Sequence, residues 1–553
     1  EVLVRRARRA AGRSELKMTT VWHGRLAAAA AGAALALAAL SARRAARRWL
    51  ARRCWRAVGL KARLLEARRR DFCPAQSVSY VNTDPLLVVE GRGARLIDER
   101  GRSFLDTRNN VAHVGHAHPA VAAAVAAQVS TLNTNTRYLH PTVCELARRL
   151  LETMPAPLRD GVVFFVNSGS EANDLALRLA RAANTRGASR CLVVEHAYHG
   201  HTSAVIGLSP YKFDHRSFGG RGQPEWVTKC PVQTTRAAGR TRLSRPLAEP
   251  SGPLPHPPRA AGALTLTLTL TLVPQAPDLF RGPHRGADAG RRYAEAVAEA
   301  CAAEGEGGVC AFFIESGMSV AGVILPPAGY LASCYEAVRA AGGVCVADEV
   351  QTGLGRFGTC WWGFEQQGVV PDIVTMGKPM GNGMPLAAVV ATRRVSDAFA
   401  DGPEYFNTFG GNPVCAAAGL AVLEAIERDG LRANAAATGQ WLRAALQALR
   451  AEEASHGAVV GDVRGAGLFI GVEFVRERAS REPAAAETSW LCSRLKDEHR
   501  ILTSIDGPHD NVLVIKPPLC FSRCDAEQLV HALRSELVGM RGADLAGVTA
   551  TPT

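Results

Sequence analysis

An aspartate and a lysine each close a short apolar run in this chain, and the two runs follow one another. Val344 to Ala347 is β-branched and apolar and stops at Asp348-Glu349, while Ile373 to Met376 is a second such run and stops at Gly377-Lys378. Both read as buried strands, and the chain between them has room for one crossover connection. Parallel strands joined in this way set their carboxyl ends side by side, and ligands of open α/β sheets bind along that edge. The pair would then face one ligand as a carboxylate and a primary amine. An isolated pair of this kind is equally an ion pair at a sheet edge, so its chemistry depends on what the rest of the chain brings.

The rest of the chain brings groups of the same kind. Val162 to Val166 is a β-rich run that ends in the small-residue turn Asn167-Ser168-Gly169-Ser170-Glu171-Ala172-Asn173, followed by a helical pattern to Ala183. Such a turn exposes backbone N–H groups at a helix start, which suits an anion, and Gly169 and Ser170 are the expected phosphate cradle. Cys191 to Glu195 is a further strand that runs into Tyr198-His199-Gly200, and Ala311 to Ile314 ends at Glu315-Ser316. Pyridoxal phosphate needs an amine for its aldehyde, an anion for its ring nitrogen, an aromatic to stack on and a phosphate site. Lys378, Asp348, Tyr198 and the turn at Gly169 supply one of each.

ADEVQTGLGR followed by DIVTMGKPMGNGMP resembles the signature of the class-III, fold-type-I aminotransferases. LNTNTRYLH at 132–140, NSGSEANDLALRLAR at 167–181, HAYHGH at 196–201, SPYKF at 209–213 and IKPPLCFS at 515–522 resemble the ethanolamine-phosphate and 5-phosphohydroxylysine phospho-lyases within that class. The resemblance implies an α/β fold of type I, with a mostly parallel large-domain sheet and a smaller α+β domain. It implies pyridoxal phosphate linked to Lys378, its ring nitrogen held by Asp348 and its ring oxygen met by Gln351. Tyr198 and His199 would lie against the ring, Glu315 over it, and Gly169 and Ser170 at its phosphate. Thr408, in Phe406-Asn-Thr-Phe-Gly-Gly-Asn-Pro413, would reach the cofactor phosphate of a neighbouring subunit, which implies a homodimer with shared sites. Arg137 is a candidate for an anionic substrate group, and Arg464 for a substrate carboxylate or for neutralising Glu315.

Two activities follow from the resemblance. A substrate with phosphate on its β carbon would lose it and yield aldehyde, ammonia and phosphate; one without it would transaminate, as alanine:glyoxylate and ω-amino enzymes do. LNTNTRYLH, SPYKF and DGPHDN favour elimination. Asn382-Gly383-Met384-Pro385 departs from the Asn-Gly-His-Pro of phospho-lyases, GMSVAGVILPP lacks their Gly-Gly-Gln, and DEVQTG is closer to ordinary aminotransferases. A third reading is an inactive homologue acting as a membrane-tethered interaction protein.

The remaining elements must position these groups. Alternation from Leu86 to Glu90 and from Ala94 to Asp98 predicts a hairpin, and helices are expected over Pro119–Leu132, Thr142–Met154 and Val414–Ile426. Asn109 to Pro119 resembles the family's substrate-access loop. Its three His, at H-x2-H-x-H spacing without a carboxylate set, read as turn structure beside the cleft, and no metal is expected. We divide the chain into a basic leader at 1–70, the first part of the small domain at 71–130, a large cofactor-binding domain at 131–395, a C-terminal small domain at 396–541 and a tail at 542–553. Residues 231–273 interrupt this plan with Arg/Pro-rich sequence and LTLTLTLTL, which do not resemble the family and read as retained intron or a misassembled gene model.

The formal charge of +14 over 553 residues resides in the leader, whose 17 Arg, 2 Lys and 3 Glu leave the other residues at −2. That distribution gives no reason to expect a nucleic acid partner. The Arg excess and scarce acids of the leader fit mitochondrial targeting. Its uncharged run at 26–42 also fits a short membrane anchor, with a cytoplasmic or anchored protein as the alternative. With Glu at residue 1 and the first Met at Met18, it also reads as translated upstream sequence. The 14 cysteines are scattered, which suits buried free thiols rather than a secreted disulfide scaffold.

Overall fold

Seven short runs rich in Val, Phe, Ile and Ala form a single sheet: Val162–Val166 (β1), Cys191–Val193 (β2), Val227–Lys229 (β3), Ala311–Glu315 (β4), Val344–Asp348 (β5), Ile373–Met376 (β6) and Ala387–Ala391 (β7). The strand order is β1-β7-β6-β5-β4-β2-β3. β5 runs parallel to β4 and β6, β2 to β4, and β3 to β2, while β7 alone opposes its neighbours β1 and β6. This is the mostly parallel sheet the sequence predicts. The structure is a computed structural model and describes residues 59–73, 76, 85–214, 222–229, 276–452, 459–540 and 545. The apolar run at 26–42 and the segment 231–273 lie outside the described residues.

Strands β4 to β7 are buried at every position, and their sequences do not alternate. The reason is that helices cover both faces, so side chains pointing either way meet apolar neighbours. On one face Phe313, Val346 and Val389 pack with Leu175 and Leu179 of Gly169–Ala183 (α1) and with Val395 and Phe399 of helix Arg393–Ala400. On the other, Phe312, Ala347 and Val374 meet Tyr293 and Val297 of helix Ala289–Ala303 and Leu331 and Val338 of helix Tyr330–Ala340.

The connection from β5 to β6 is not the helix a crossover usually carries. It is a loop with a single 3-10 turn at Gly363–Gln367. Glu349 organises it: its carboxylate accepts from the N–H groups of Gly363 at 2.9 Å and Phe364 at 3.0 Å and from Thr352 Oγ1 at 2.6 Å. Successive strand residues point to opposite sides. At the end of β5 this sends Glu349 into the loop and leaves Asp348 for the site.

Beyond residue 430 the chain is α+β, as expected. Val460–Ala466 (β8), Phe469–Phe474 (β9), Ser504–Asp506 (β10) and Val512–Ile515 (β11) form an antiparallel sheet in the order β8-β9-β11-β10. Helices Leu431–Ala451, Ala485–Asp497 and Arg523–Met540 accompany it. Near the other end of the chain, strands Val88–Arg92, Arg95–Asp98 and Ser103–Asp106 form where alternation predicted a hairpin and its continuation. Leu105 and Asp106 pair in parallel with Ile501 and Leu502. The described residues divide into two compact units, those up to Glu90 with Leu96–Ser103, and Gly91–Arg95 with those from Phe104 onward, and the site lies wholly in the second.

Candidate active site

Glu315 and Asp348 are register partners at the ends of β4 and β5, and Asp348 is also opposite Thr375 of β6. Lys378 follows two residues after β6. These strand ends and the start of α1 enclose a cavity of about 370 Å³, lined by Ser168, Gly169, Ser170, Tyr198, His199, Glu315, Asp348, Gln351 and Lys378 among others. All but the first of these nine were predicted as site residues, and they come together from five separate stretches of chain.

Asp348 is held from three sides. Its Oδ1 accepts from the N–H of Val350 at 3.0 Å, and its Oδ2 accepts from Asn173 Nδ2 and from His199 Nδ1, each at 2.8 Å. Asn173 is fixed in turn by accepting from Thr375 Oγ1 at 2.7 Å. It sits one turn into α1 on the buried face, a lone polar residue among Ala and Leu, and that irregularity is the signal that could have marked it. His199 Nε2 is buried and has no hydrogen-bond partner among the described residues. Gln351 Oε1 accepts from Asn110 Nδ2, which ties the access loop to the cavity wall.

Lys378 forms no hydrogen bond or ion pair with another described residue. Burial, and next the charge of Lys516, lower its pKa from the ordinary 10.5, against the raising effects of Asp348, Glu315 and Asp506. An amine of this kind has a larger neutral fraction near neutral pH, the form that attacks an aldehyde and accepts a proton. Glu315 is pushed up to about 7 by burial, with His199 opposing and Asp348 adding to the rise. Its Oε1 accepts from the N–H of Tyr198 at 3.0 Å and its Oε2 from that of Ser319 at 3.3 Å.

The start of α1 is shaped for close approach. Ser168 caps the helix, its Oγ accepting from the N–H of Glu171 at 3.2 Å, which leaves the N–H groups of Gly169 and Ser170 without a helical partner. A Cβ on Gly169 would fall 2.8 Å from Val350 Cγ2, and one on Gly200, where φ is +133°, 2.6 Å from Ser170 Oγ. Tyr198 packs edge-on to Tyr211 at 6.1 Å between ring centroids. A buried amine without a partner, a carboxylate braced from the sheet, an unpartnered buried imidazole nitrogen and an open helix start are together a donor set that fits pyridoxal phosphate.

Three predicted residues are not part of this wall. Arg464, expected beside Glu315, donates from Nε to Gly322 O at 2.9 Å, and its Nη1 pairs with Glu473 Oε2 at 2.6 Å and Asp462 Oδ2 at 3.0 Å. The cause lies in β8 and β9: Glu473 is 1% exposed, and a buried carboxylate needs a countercharge. Arg137 is exposed, its guanidinium lying 4.2 Å from the centroid of the Phe406 ring. Thr408 is exposed, next to Asn407, which donates to Glu171 at 3.0 Å and accepts from Asn167 at 2.9 Å. The three histidines of the access loop have separate partners: His113 meets Leu354 O, His116 meets Asp106, and His118 meets Asp429.

Comparison with known proteins gives this arrangement a family. The chain is 43% identical over 479 residues to "Alanine–glyoxylate aminotransferase 2-like" of Drosophila melanogaster, covering 85% of this chain and 86% of that one. It is 34% identical over 482 residues to the human "Alanine–glyoxylate aminotransferase 2, mitochondrial", covering 86% of each. Among solved structures, a phospholyase from Arthrobacter in complex with phosphoethanolamine aligns with a TM-score of 0.70 and 36% identity, over 86% of this chain and 99% of that one. The family model for aminotransferase class-III matches residues 76–246 and 269–537, so it extends into both flanks of the segment 231–273 and leaves only 247–268 of it unmatched. With that much of its length matched, the chain belongs to the class-III aminotransferases, a pyridoxal-phosphate-dependent enzyme family that spans transaminases and phospho-lyases.

Proposed function

We propose that this protein is a pyridoxal-phosphate-dependent phospho-lyase, which eliminates phosphate from a phosphorylated amine or amino acid such as phosphoethanolamine or 5-phosphohydroxylysine. The observation that carries the choice is Arg464. A transaminase acting on amino and keto acids needs a guanidinium to clamp their carboxylates, and here that group is engaged by Glu473, Asp462 and Gly322 O. The likeness to a phospholyase over 99% of its length supports the same reading.

The bound cofactor supplies an electron sink for the carbon beside the substrate nitrogen. The chain's part is to hold and to move protons. Lys378 would anchor the cofactor and take the proton from that carbon; burial lowers its pKa, which raises its neutral fraction. Asp348, braced by Asn173 and His199, would hold the ring nitrogen. Gln351, held by Asn110, would serve the ring oxygen, Tyr198 would lie against the ring, and the N–H groups of Gly169 and Ser170 would hold the phosphate. Thr408 serves the site of a second subunit, so the working unit is a homodimer. The leader directs the protein to mitochondria, a reading supported by its scarcity of acid and by the name of the human relative.

Purified protein is mixed with phosphoethanolamine, with 5-phosphohydroxylysine, and with alanine plus glyoxylate. We expect phosphate and ammonia in equal amounts from one of the first two. Exchange between alanine and glyoxylate without phosphate release would establish the transaminase instead, the alternative to which the Drosophila relative's name points. Lys378→Ala should abolish every turnover, and borohydride should then fix no label on the chain. A wild-type protein that takes up no cofactor would favour the inactive interaction protein.

A further inference from the structure

A second cavity, of about 510 Å³, opens at the other end of the central sheet. Asp372 precedes β6 and Thr392 follows β7, and Ile373 and Ala391 are register partners, so both groups lie where β6 starts, away from Asp348 and Lys378. The cavity wall is apolar at Val369, Val370 and Pro371 and polar at Arg339, Asp372 and Thr392. Thr392 is the N-cap of helix Arg393–Ala400, yet its side chain caps nothing. A threonine in that place ordinarily accepts from an N–H of the first turn. Here the residue is 9% exposed, and its buried Oγ1 has no partner among the described residues. The carbonyl of Thr392 accepts from the N–H groups of Val395 and Ser396, and those of Arg393 and Arg394, ahead of these bonds, have no helical acceptor.

The charges there have the sign a helix start disfavours. The first turn holds no acid and begins with two arginines. Arg393 is drawn aside by donating from Nε to Asp160 O at 3.0 Å, while Arg394 Nη2 lies 3.2 Å from Asp372 Oδ1. Asp372 is already committed: its Oδ2 accepts from the N–H of Cys345 at 3.0 Å and from Arg339 Nε at 3.3 Å. One carboxylate between two guanidinium groups leaves positive charge beside the helix start. A buried hydroxyl without a partner is costly, and so is positive charge at that end of a helix. An oxyanion that accepts from Thr392 Oγ1, from the N–H groups of Arg393 and Arg394 and from the guanidinium of Arg394 relieves both. These donors come from a backbone turn, a hydroxyl and a guanidinium rather than from one planar fork, which suits a phosphoryl group better than a flat carboxylate. We propose that this cavity binds a small phosphate monoester, its phosphoryl group at Thr392 and Arg394 and its organic part against Val369, Val370 and Pro371. The site is separate from the catalytic cavity, and its occupation does not depend on which reaction runs there.

The test uses the full chain loaded with cofactor, so that the cofactor's own phosphate site is filled, with visible absorbance reporting its retention. Calorimetry with phenyl phosphate, inorganic phosphate and benzoate is run on wild type, Thr392→Val, Thr392→Ser, Arg394→Met and Glu336→Gln. Any phosphate bound in the catalytic cavity is common to all five proteins, so the second site reads as the difference between them. Wild type should bind phenyl phosphate more tightly than either inorganic phosphate, which lacks the apolar part, or benzoate. Thr392→Val and Arg394→Met should each weaken that binding by roughly 10- to 100-fold, the worth of a hydrogen bond to a charged group, and Thr392→Ser should keep it. Glu336 is exposed and lines the same cavity, so Glu336→Gln should tighten binding by removing a like charge. Thr392→Val carries a second signature: loss of an unpaired buried hydroxyl should raise the Tm of the ligand-free protein, whereas a threonine serving only as a helix cap would give a lower one. Equal affinities across the five proteins, or a lowered Tm with unchanged binding in Thr392→Val, would overturn the proposal and leave a cavity filled by water. Tighter binding of benzoate than of phenyl phosphate would overturn the phosphoryl assignment.

Discussion

At the scale of single residues, the site depends on how each reactive group is braced. Asn173 joins Thr375 to Asp348. Asn173→Ala should cost about 1–3 kcal/mol by leaving buried polar atoms unpaired and should lower kcat with little change in KM, as steady-state kinetics would read. Glu315 gives a pH signature. Its folded carboxyl holds a proton up to about 7, against an ordinary value of 4.5. It therefore stabilises the fold most below the lower value, and that contribution is lost as pH rises through the higher one. At roughly 1.4 kcal/mol per unit the change is about 3 kcal/mol. Chemical denaturation across pH 4 to 9 should show wild type losing about that much stability relative to Glu315→Gln, most of it before pH 7.5. Asp348 and Lys378 were legible because each ends an apolar run. Asn173 was harder: a lone polar residue on an apolar helix face marks it, but its role arises only where that face meets the end of β5.

At the scale of elements, the close fit of α1 against the strand ends makes glycine necessary at Gly200. A side chain there would combine φ of +133° with a 2.6 Å approach to Ser170 Oγ. Gly200→Ala should destabilise the protein by about 1–3 kcal/mol and weaken cofactor retention, as dialysis followed by absorbance would show. Strands were the easiest part of the sequence to read, since runs such as Val344–Asp348 are buried on both faces and keep their apolar residues unbroken. The connection from β5 to β6 was harder. Its order comes from Glu349 gathering N–H groups and from Trp362, fully buried, donating to Thr153 O at 3.1 Å. No periodic pattern announces a loop built on one carboxylate. The pairing of Arg464 was hidden for the same reason: its partner Glu473 lies on the neighbouring strand, and pairing across strands leaves no trace in spacing.

At the scale of the whole molecule, several large side chains are exposed in two stretches that also carry Arg137 and Thr408: Tyr138 at 68%, Leu139 at 98% and Phe409 at 70%. Exposed apolar residues grouped in this way favour association, and they agree with the proposed homodimer. Leu139→Arg with Phe409→Glu should shift the sedimentation coefficient to that of a monomer and should lower cofactor retention, because Thr408 would no longer reach a second site. A monomeric wild type would remove the shared-site part of the proposal. The charge asymmetry between leader and body was plain in the sequence, whereas no composition argument marks which surface another copy covers.

The joining of residues 107–113 to residues 502–519 has a consequence for synthesis. Thr107 donates to Leu502 O across 395 residues, and the N–H of Leu519 donates to His113 O at 2.7 Å. Arg356, fully buried, links the same regions by donating to His113 and to Pro517 O. A ribosome adding about 5–20 residues per second needs roughly 20–80 s to cover that separation. Throughout that time the nascent access loop lacks the strand and carbonyls that complete it. A transcript truncated before the codon for Arg500 therefore encodes the whole of the central sheet, with both Asp348 and Lys378, and yet no finished enzyme.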